Sequence, residues 1–563
     1  MTVPVADSFI ALYKGQNSYA KPLLLTSEEY ARGINLTVRG GLVKTRPGFV
    51  AEAVEGMPTG RFQGVGCWSL SDGEHLVFVV DGVVYSLAVE TNELTAIGLS
   101  LDPEAPQCWF CQVDRFLIIQ DGVSTPVVLD PTADGLIYAG EQSIPIGTVM
   151  YFVFQRLQVA DVTLGLRYFK SGDVLIPTQP ESCLKFTEVE YWATGGAHCM
   201  PLELGYIYGM TAFRNAATGT GVGSLVVFAD KGVVAYDFSV PRSEWAYVNT
   251  SQVLFTGAGC RSPRSTITVN DDLLYRGIDG QRTIRFTKSE VGSGGGSLSN
   301  TPMSLPVDTW FANEERVYLP FVSSSQWDNY IFTTAGGVDD YLFRGLVTLD
   351  TAVTHGLVGS SQPAFPGIWT GFKFAQVINA DRAGRRELFA FTEGPELYRL
   401  DEDALDDAGI SIKARLITRS HNFGDAASSK QFDYIDLWVS DVLKETTITV
   451  YFRPTGYPKW CLVGSRSVGV YPGYPGYKRK LRFSLDDSTV YANNVSGEPL
   501  RVGTEFQFAI EIEGNATIER CLMMAAKKSE PPPDPCDTIG TGSESLDGVD
   551  LDDWFYDATG GEG

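Results

Sequence analysis

Positive charge is scarce in this chain. Its 563 residues carry 44 Lys and Arg against 68 Asp and Glu, a formal net charge of −24. Tight nucleic-acid binding needs Lys and Arg to neutralise phosphates, so the balance argues against it. A surface past which DNA slides without sticking is compatible with it, because like charge repels the duplex. No window of 18 apolar residues is free of charge, so no transmembrane helix is predicted. The opening residues MTVPVADSFIALYKG lack the basic head and long apolar stretch of a signal peptide, which leads to an expectation of folding in a cytoplasm. Histidine is rare, at positions 75, 198, 355 and 421, with no metal-ligand spacing among them. No G-x-S-x-G elbow and no P-loop occur. Gly219–Gly223 (GTGVG) precedes a strand pattern and offers no helix N-terminus to a phosphate. The nine cysteines are odd in number and irregularly spaced, so no disulfide framework is expected. Only Cys108 and Cys111 form a C-x-x-C, inside the apolar run CWFCQV. A zinc ribbon needs a second such pair, and buried free thiols are the expectation.

What the chain does have is a recurrent hairpin. Apolar run, tight turn with Gly and second apolar run recur at His75–Leu87, Phe116–Leu129, Leu225–Phe238, Leu273–Phe286 and Glu387–Leu400. Asp-Gly between β-rich runs is a strong hairpin signal, because these residues tolerate the positive φ that the turn requires. The turn glycines stand at 82, 122, 232, 280 and 394, with gaps of 40 and 48 and of 110 and 114 residues. The long gaps are about twice a propeller-blade period of roughly 40–50 residues. Each holds a less regular unit: Thr148–Ala160, a strand pair without a clean turn, and Asn329–Phe343, a hairpin with a Gly-Gly turn. The expectation is an all-β protein whose residues 55–400 form a β-propeller of six or seven blades, some degenerate, with a pair of β-sandwiches as the alternative.

Residues 1–54 read as a lead-in with a hairpin over Asn35–Phe49, and KPLLLTSEEYARG as a short helix. The acidic stretch 402–409 reads as a boundary. After it, Ile410–Thr418, Phe432–Ser440, Thr446–Arg453, Lys478–Leu485 and Glu505–Ile512 alternate apolar and polar residues. Such alternation means half-buried antiparallel strands, hence a β-sandwich or barrel-like domain over 410–527. Residues 528–563 form an acidic tail that cannot bury enough apolar surface to order alone. Its aromatic cluster Leu551–Tyr556 (LDDWFY) has two readings: incidental aromatics, or a docking peptide that orders on a partner.

No catalytic, cofactor-binding or metal-ligating residue is singled out. Asn270–Asp272 and Asp401–Asp407 lack calcium-loop spacing and read as solvated turns. Arg261, Arg264, Arg276, Arg282 and Arg285 could grip a carboxylate as in a sialidase, but the surplus of acids makes structural ion pairs the expected use.

Three stretches, GGLVKTRPGF, CRSPRSTITVNDDLLYRGIDGQRTIRF and TVYFRPTGYPKW, resemble the tail nozzle proteins (tail tubular protein B) of short-tailed bacteriophages. Gly41, Leu42, Arg46 and Pro47 fit a stretch ahead of that family's first propeller strands. Arg115–Pro126 looks like its second blade, and Ile144–Gly147 with Arg156 is similar too. The matches span residues 40 to 460; the acidic tail has no counterpart. The resemblance implies a non-enzymatic structural protein of the virion tail, assembled in the host cytoplasm without cofactors. It implies a homohexameric ring below the adaptor, in contact with fibre or needle proteins, through whose lumen genomic DNA passes. A propeller glycan-degrading enzyme and a receptor-binding tail adhesin are the alternatives.

Overall fold

The computed structural model describes residues 3–527 apart from 188–196, 214–223, 239–241, 246–250, 270–271, 286, 288–300, 313, 339–340, 355–360, 455, 472–473, 475 and 486–500. The chain is mainly β, with a six-bladed β-propeller and additional sheets. Blade 1 is Phe62–Leu70, Gly73–Val80, Val83–Ala88 and Glu93–Ser100. Blade 2 is Trp109–Val113, Phe116–Gln120 and Val127–Leu129. Blade 3 is Gly147–Val153, Arg156–Asp161, Tyr168–Ser171 and Ala197–Cys199. Blade 4 is Ile207–Phe213, Ser224–Ala229, Gly232–Tyr236 and Ser251–Thr256. Blade 5 is Ile267–Val269, Asp272–Arg276 and Gln281–Thr283. Blade 6 is Phe374–Arg382, Arg385–Thr392 and Leu397–Asp401, with Gly48–Ala51 as its outermost strand. The ring therefore closes by joining an early segment of the chain to its last blade.

All five strand pairs read from sequence form, but only 81–82 and 230–231 are two-residue turns: Gly232 already pairs with Ala229 in its strand, and the connections over 121–126, 277–280 and 393–396 are longer. Asp81 and Gly82 both take positive φ (47° and 77°), as a tight hairpin turn requires. The irregular unit over 148–160 is also a hairpin, with Phe154 and Gln155 at φ 53° and 58° in place of Gly. The unit at 329–343 differs from its reading. Gly336 and Gly337 lie inside the strand Tyr330–Val338, beside a register shift, and Val338 pairs with Tyr341 across residues 339–340, which lie outside the described residues. KPLLLTSEEYARG contains only a short 3-10 turn, Pro22–Leu24, before the strand Glu29–Ile34.

Between blades 5 and 6 the ring has a further sector: Ser324–Trp327, Tyr330–Val338, Tyr341–Thr354 and Ser361–Trp369. Its apolar side chains pack against blade 5 through Leu274, Ile331 and Val347, and against blade 6 through Phe332, Trp369 and Val377. These strands are one end of a ten-stranded sheet. The sheet continues through Gly15–Gln16, Glu29–Ile34, Lys413–Thr418, Phe506–Glu513 and Thr446–Pro454 to Cys461–Val468. Its far half faces a seven-stranded sheet built on Lys430–Ser440 and Thr517–Lys527, and the two form a β-sandwich over a large apolar core. The first 45 residues are thus part of the sandwich rather than a lead-in: Val3–Phe9 pairs with Thr517–Lys527, and Glu29–Ile34 with Lys413–Thr418.

Two devices join sandwich and propeller. The first is a close backbone approach where Ser361–Trp369 runs parallel to Glu29–Ile34. A Cβ on Gly367 (φ 128°) would meet the Gly33 carbonyl, so only glycine fits. The second is a buried clamp where the chain crosses into the propeller and again where it returns. Arg46 donates to both Asp407 carboxylate oxygens (2.8 and 2.5 Å), to Asn35 Oδ1 (2.9 Å) and to the carbonyls of Pro47 and Thr370. Asp407 also accepts from the Phe49 N–H at 3.1 Å. Both side chains are almost wholly buried, so the bidentate geometry and the extra hydrogen bonds are what make the charges tolerable there.

Arg46→Met leaves the Asp407 carboxylate buried without its cation. The expected loss is about 3–5 kcal/mol in urea unfolding, and a change of only ~0–1 kcal/mol, the range of a surface pair, would show that the clamp does not hold the crossing.

Candidate assembly surface

The residues flagged in the sequence do not converge. Cys108 packs between blades 1 and 2 and Cys111 between blades 2 and 3, so the C-x-x-C faces two separate cores. Burial pushes both thiols up to about 12. His75 lies beside Ser86 and Asp72 in blade 1. His198 is enclosed by Phe169, Tyr236, Phe238 and Trp245. His421 is buried in the sandwich with Nδ1 3.2 Å from Asp7, and desolvation lowers its pKa. His355 and Gly219–Gly223 lie outside the described residues. Among the described residues no three His, Cys, Asp or Glu side chains group as metal ligands.

The arginines are committed to different partners. Arg261 pairs with Asp230, Arg276 with Glu314 and Arg282 with Asp279. Arg264 donates to the carbonyls of Gln63 (2.6 Å) and Cys108 (3.0 Å), and its burial lowers its pKa to about 10. Arg285 is exposed. Of the acidic stretches, Asp272 opens a strand of blade 5 and accepts from the Leu273 and Arg285 N–H groups, Asp401 accepts from the Asp403 N–H in a turn, and Asp407 is the buried half of the clamp. Residues 270–271 lie outside the described set.

A different region stands out, marked in the sequence by YPGYPGY but carrying no catalytic or ligand motif: the edge of the sandwich over residues 461–484. Cys461–Val468 is the last strand of the ten-stranded sheet, and Arg479–Ser484 is the last of the seven-stranded one. Each has a neighbour on one side only among the described residues. Unpaired edges of this kind are templates for association. The segment between them carries Tyr471, Tyr474 and Tyr477, which are 49%, 67% and 54% exposed. These rings hold one another: Tyr471 stacks on Tyr477 at 4.9 Å, and Tyr474 lies 6.1 Å from Tyr471. The Arg479 guanidinium stands 5.8 and 5.9 Å from the Tyr471 and Tyr477 ring centres. Leu462 and Val470 extend the exposed apolar surface. Tyr and Arg are among the residues enriched in protein interfaces: Tyr supplies large contact area with only two χ angles to fix, and Arg a planar fork of donors.

No protein-family model matches the chain, and no curated protein matches it. Among solved structures, the computationally designed protein Ika8 aligns with a TM-score of 0.31 at 12% identity, covering 63% of this chain and 99% of its own. The extracellular domain of a hybrid two-component system from B. thetaiotaomicron aligns with a TM-score of 0.37 at 11% identity, covering 82% of this chain and 58% of its own. Among the described residues no helix is long and apolar enough to cross a membrane.

A thiol near pKa 12 is ionised in about one molecule in ten thousand at pH 8. Cys108 and Cys111 are therefore expected to escape iodoacetamide in the native protein and to react on unfolding. Rapid native labelling of both, read by mass spectrometry, would contradict their placement in separate cores.

Proposed function

We propose that this chain is a structural subunit of the tail nozzle of a short-tailed bacteriophage. Copies close into a ring, six by the resemblance, and genomic DNA passes through the lumen during ejection. The observation that carries this reading is the exposed, mutually stacked tyrosine cluster lying between two strand edges, a surface suited to a neighbouring subunit. A ring needs a heterologous contact, in which this edge meets a different patch on the next copy. The continuous sheet supports the reading as well, because a conduit wall must carry load from one half of each subunit to the other. So does the net charge of −24, which six copies multiply and which keeps duplex DNA from adhering. In this role the adaptor ring and the fibre or needle proteins are the partners, the virion tail is the location and no catalysis is involved.

Light scattering of the purified chain, alone and mixed with the phage adaptor, is expected to give a hexamer in at least one condition. A monomer in both, with glycan hydrolysis that disappears on replacing one or two acids, would establish the enzyme reading instead. Binding of the lone chain to host cells would establish an adhesin.

Changing Tyr471, Tyr474 and Tyr477 together to Ser is expected to leave stability within about 0.5 kcal/mol of wild type, as at other exposed sites. The same variant is expected to weaken ring formation at least about tenfold. Unaltered assembly in light scattering would place the contact elsewhere.

A further inference from the structure

The outer face of the seven-stranded sheet is basic although the protein as a whole is acidic. The strands Arg479–Ser484, Lys430–Ser440 and Thr517–Lys527 lie side by side, with Lys480 opposite Trp438 and Trp438 opposite Arg520. Ile435, Leu437, Val439, Cys521 and Met523 enter the core, so alternation puts Tyr434, Asp436, Trp438, Arg520, Leu522 and Met524 on the outside. Lys480 Nζ and the Arg520 guanidinium flank Trp438 at 5.1 and 4.9 Å from its ring centre. Arg482 covers Tyr434 at 3.9 Å and donates twice to Asp436, each bond 2.8 Å. Lys480 also reaches Asp436 at 2.8 Å, and Lys478 pairs with Glu519. The face thus holds more cations than carboxylates, and Arg520 has no carboxylate partner among the described residues. Leu522 and Met524 are only half-buried beside it.

The sheet's own last strand ends at Lys527, and the chain beyond it is the complement of this face. Residues 529–563 contain ten Asp and Glu and no Lys or Arg, and Leu551–Asp557 reads LDDWFYD. We propose that this segment docks on the face in its own chain. Asp552, Asp553 and Asp557 engage Arg520, Lys480 and Lys478, and the Trp554, Phe555 and Tyr556 rings cover Leu522, Met524 and Trp438. Reach is ample. Arg520 is seven residues before Lys527 along an extended strand, roughly 23 Å. The 24 residues from Lys527 to Leu551 span up to ~80 Å when extended. Tethering raises the segment's effective concentration to the millimolar range, so a contact too weak to hold a free peptide holds this one. Salt screens the exposed charges and weakens the contact. The inference does not depend on the nozzle reading, since it concerns two parts of one chain.

Hydrogen–deuterium exchange on the full-length protein tests it. Amides of 551–557 are expected to exchange at least about tenfold more slowly than in an unstructured peptide. That protection should fall to about one in Arg520→Glu and in Trp554→Ser, and return when Asp552→Lys alone is combined with Arg520→Glu. The milder Arg520→Gln, with slow exchange retained in the strands of the sheet, keeps the test valid if the Glu variant fails to fold. Unstructured-peptide exchange in the wild type would overturn the proposal, as would protection indifferent to Arg520 or confined to the oligomer. Binding of a 20-base-pair duplex by the full chain, lost in Arg520→Glu, would also overturn it by making the face a phosphate surface.

Discussion

The structure turns on one buried ion pair. The chain enters the propeller at Arg46 and leaves it at Asp407, and these two side chains meet at the crossing. Asn35, at φ 54°, links the same point to the sandwich, accepting from Arg46 and the Thr370 N–H and donating to the Lys413 carbonyl. An Arg suits this place because its planar fork satisfies a carboxylate and several carbonyls at once; a Lys cannot. Removing either partner strands the other in a medium of low dielectric. The pair is thus better understood as a specifier of one geometry than as a source of net stability.

Around that point the two halves share backbone as well as charge. The sector Ser324–Trp369 belongs to the propeller ring by packing and to the sandwich by hydrogen bonding. Arg39, on the N-terminal hairpin of the sandwich, reinforces the seam by pairing with Asp350 and Asp328 and lying 4.0 Å from the Tyr330 ring centre. In many multidomain chains a linker lets domains rotate. Here a continuous sheet and a buried clamp oppose such rotation.

Local chemistry made much of the fold legible. Asp81–Gly82 announces its turn because both residues accept positive φ. Phe154–Gln155 makes the same kind of turn without that signal, with Phe154 packed against the core shared by blades 3 and 4. Gly336–Gly337 misled in the opposite sense: two glycines inside a strand beside a bulge resemble a turn on paper. The N-terminal strands were hidden because their partners are remote. Val3–Phe9 pairs with the last described strand, and Gly15–Gln16 is only two residues long. Arg46 was visible as a motif residue, yet its partner lies 361 positions away. The tyrosine edge is legible only as the repeat YPGYPGY, since its exposure and the stacking of Tyr471 on Tyr477 depend on two strand edges that the local pattern does not bring together.

The central claim is that propeller and sandwich form one mechanical body. Differential scanning calorimetry of the full chain tests it most directly. The account expects a single transition with calorimetric and van't Hoff enthalpies in agreement, as for one cooperative unit. Two resolved transitions, one assignable to the propeller and one to the sandwich, would contradict it.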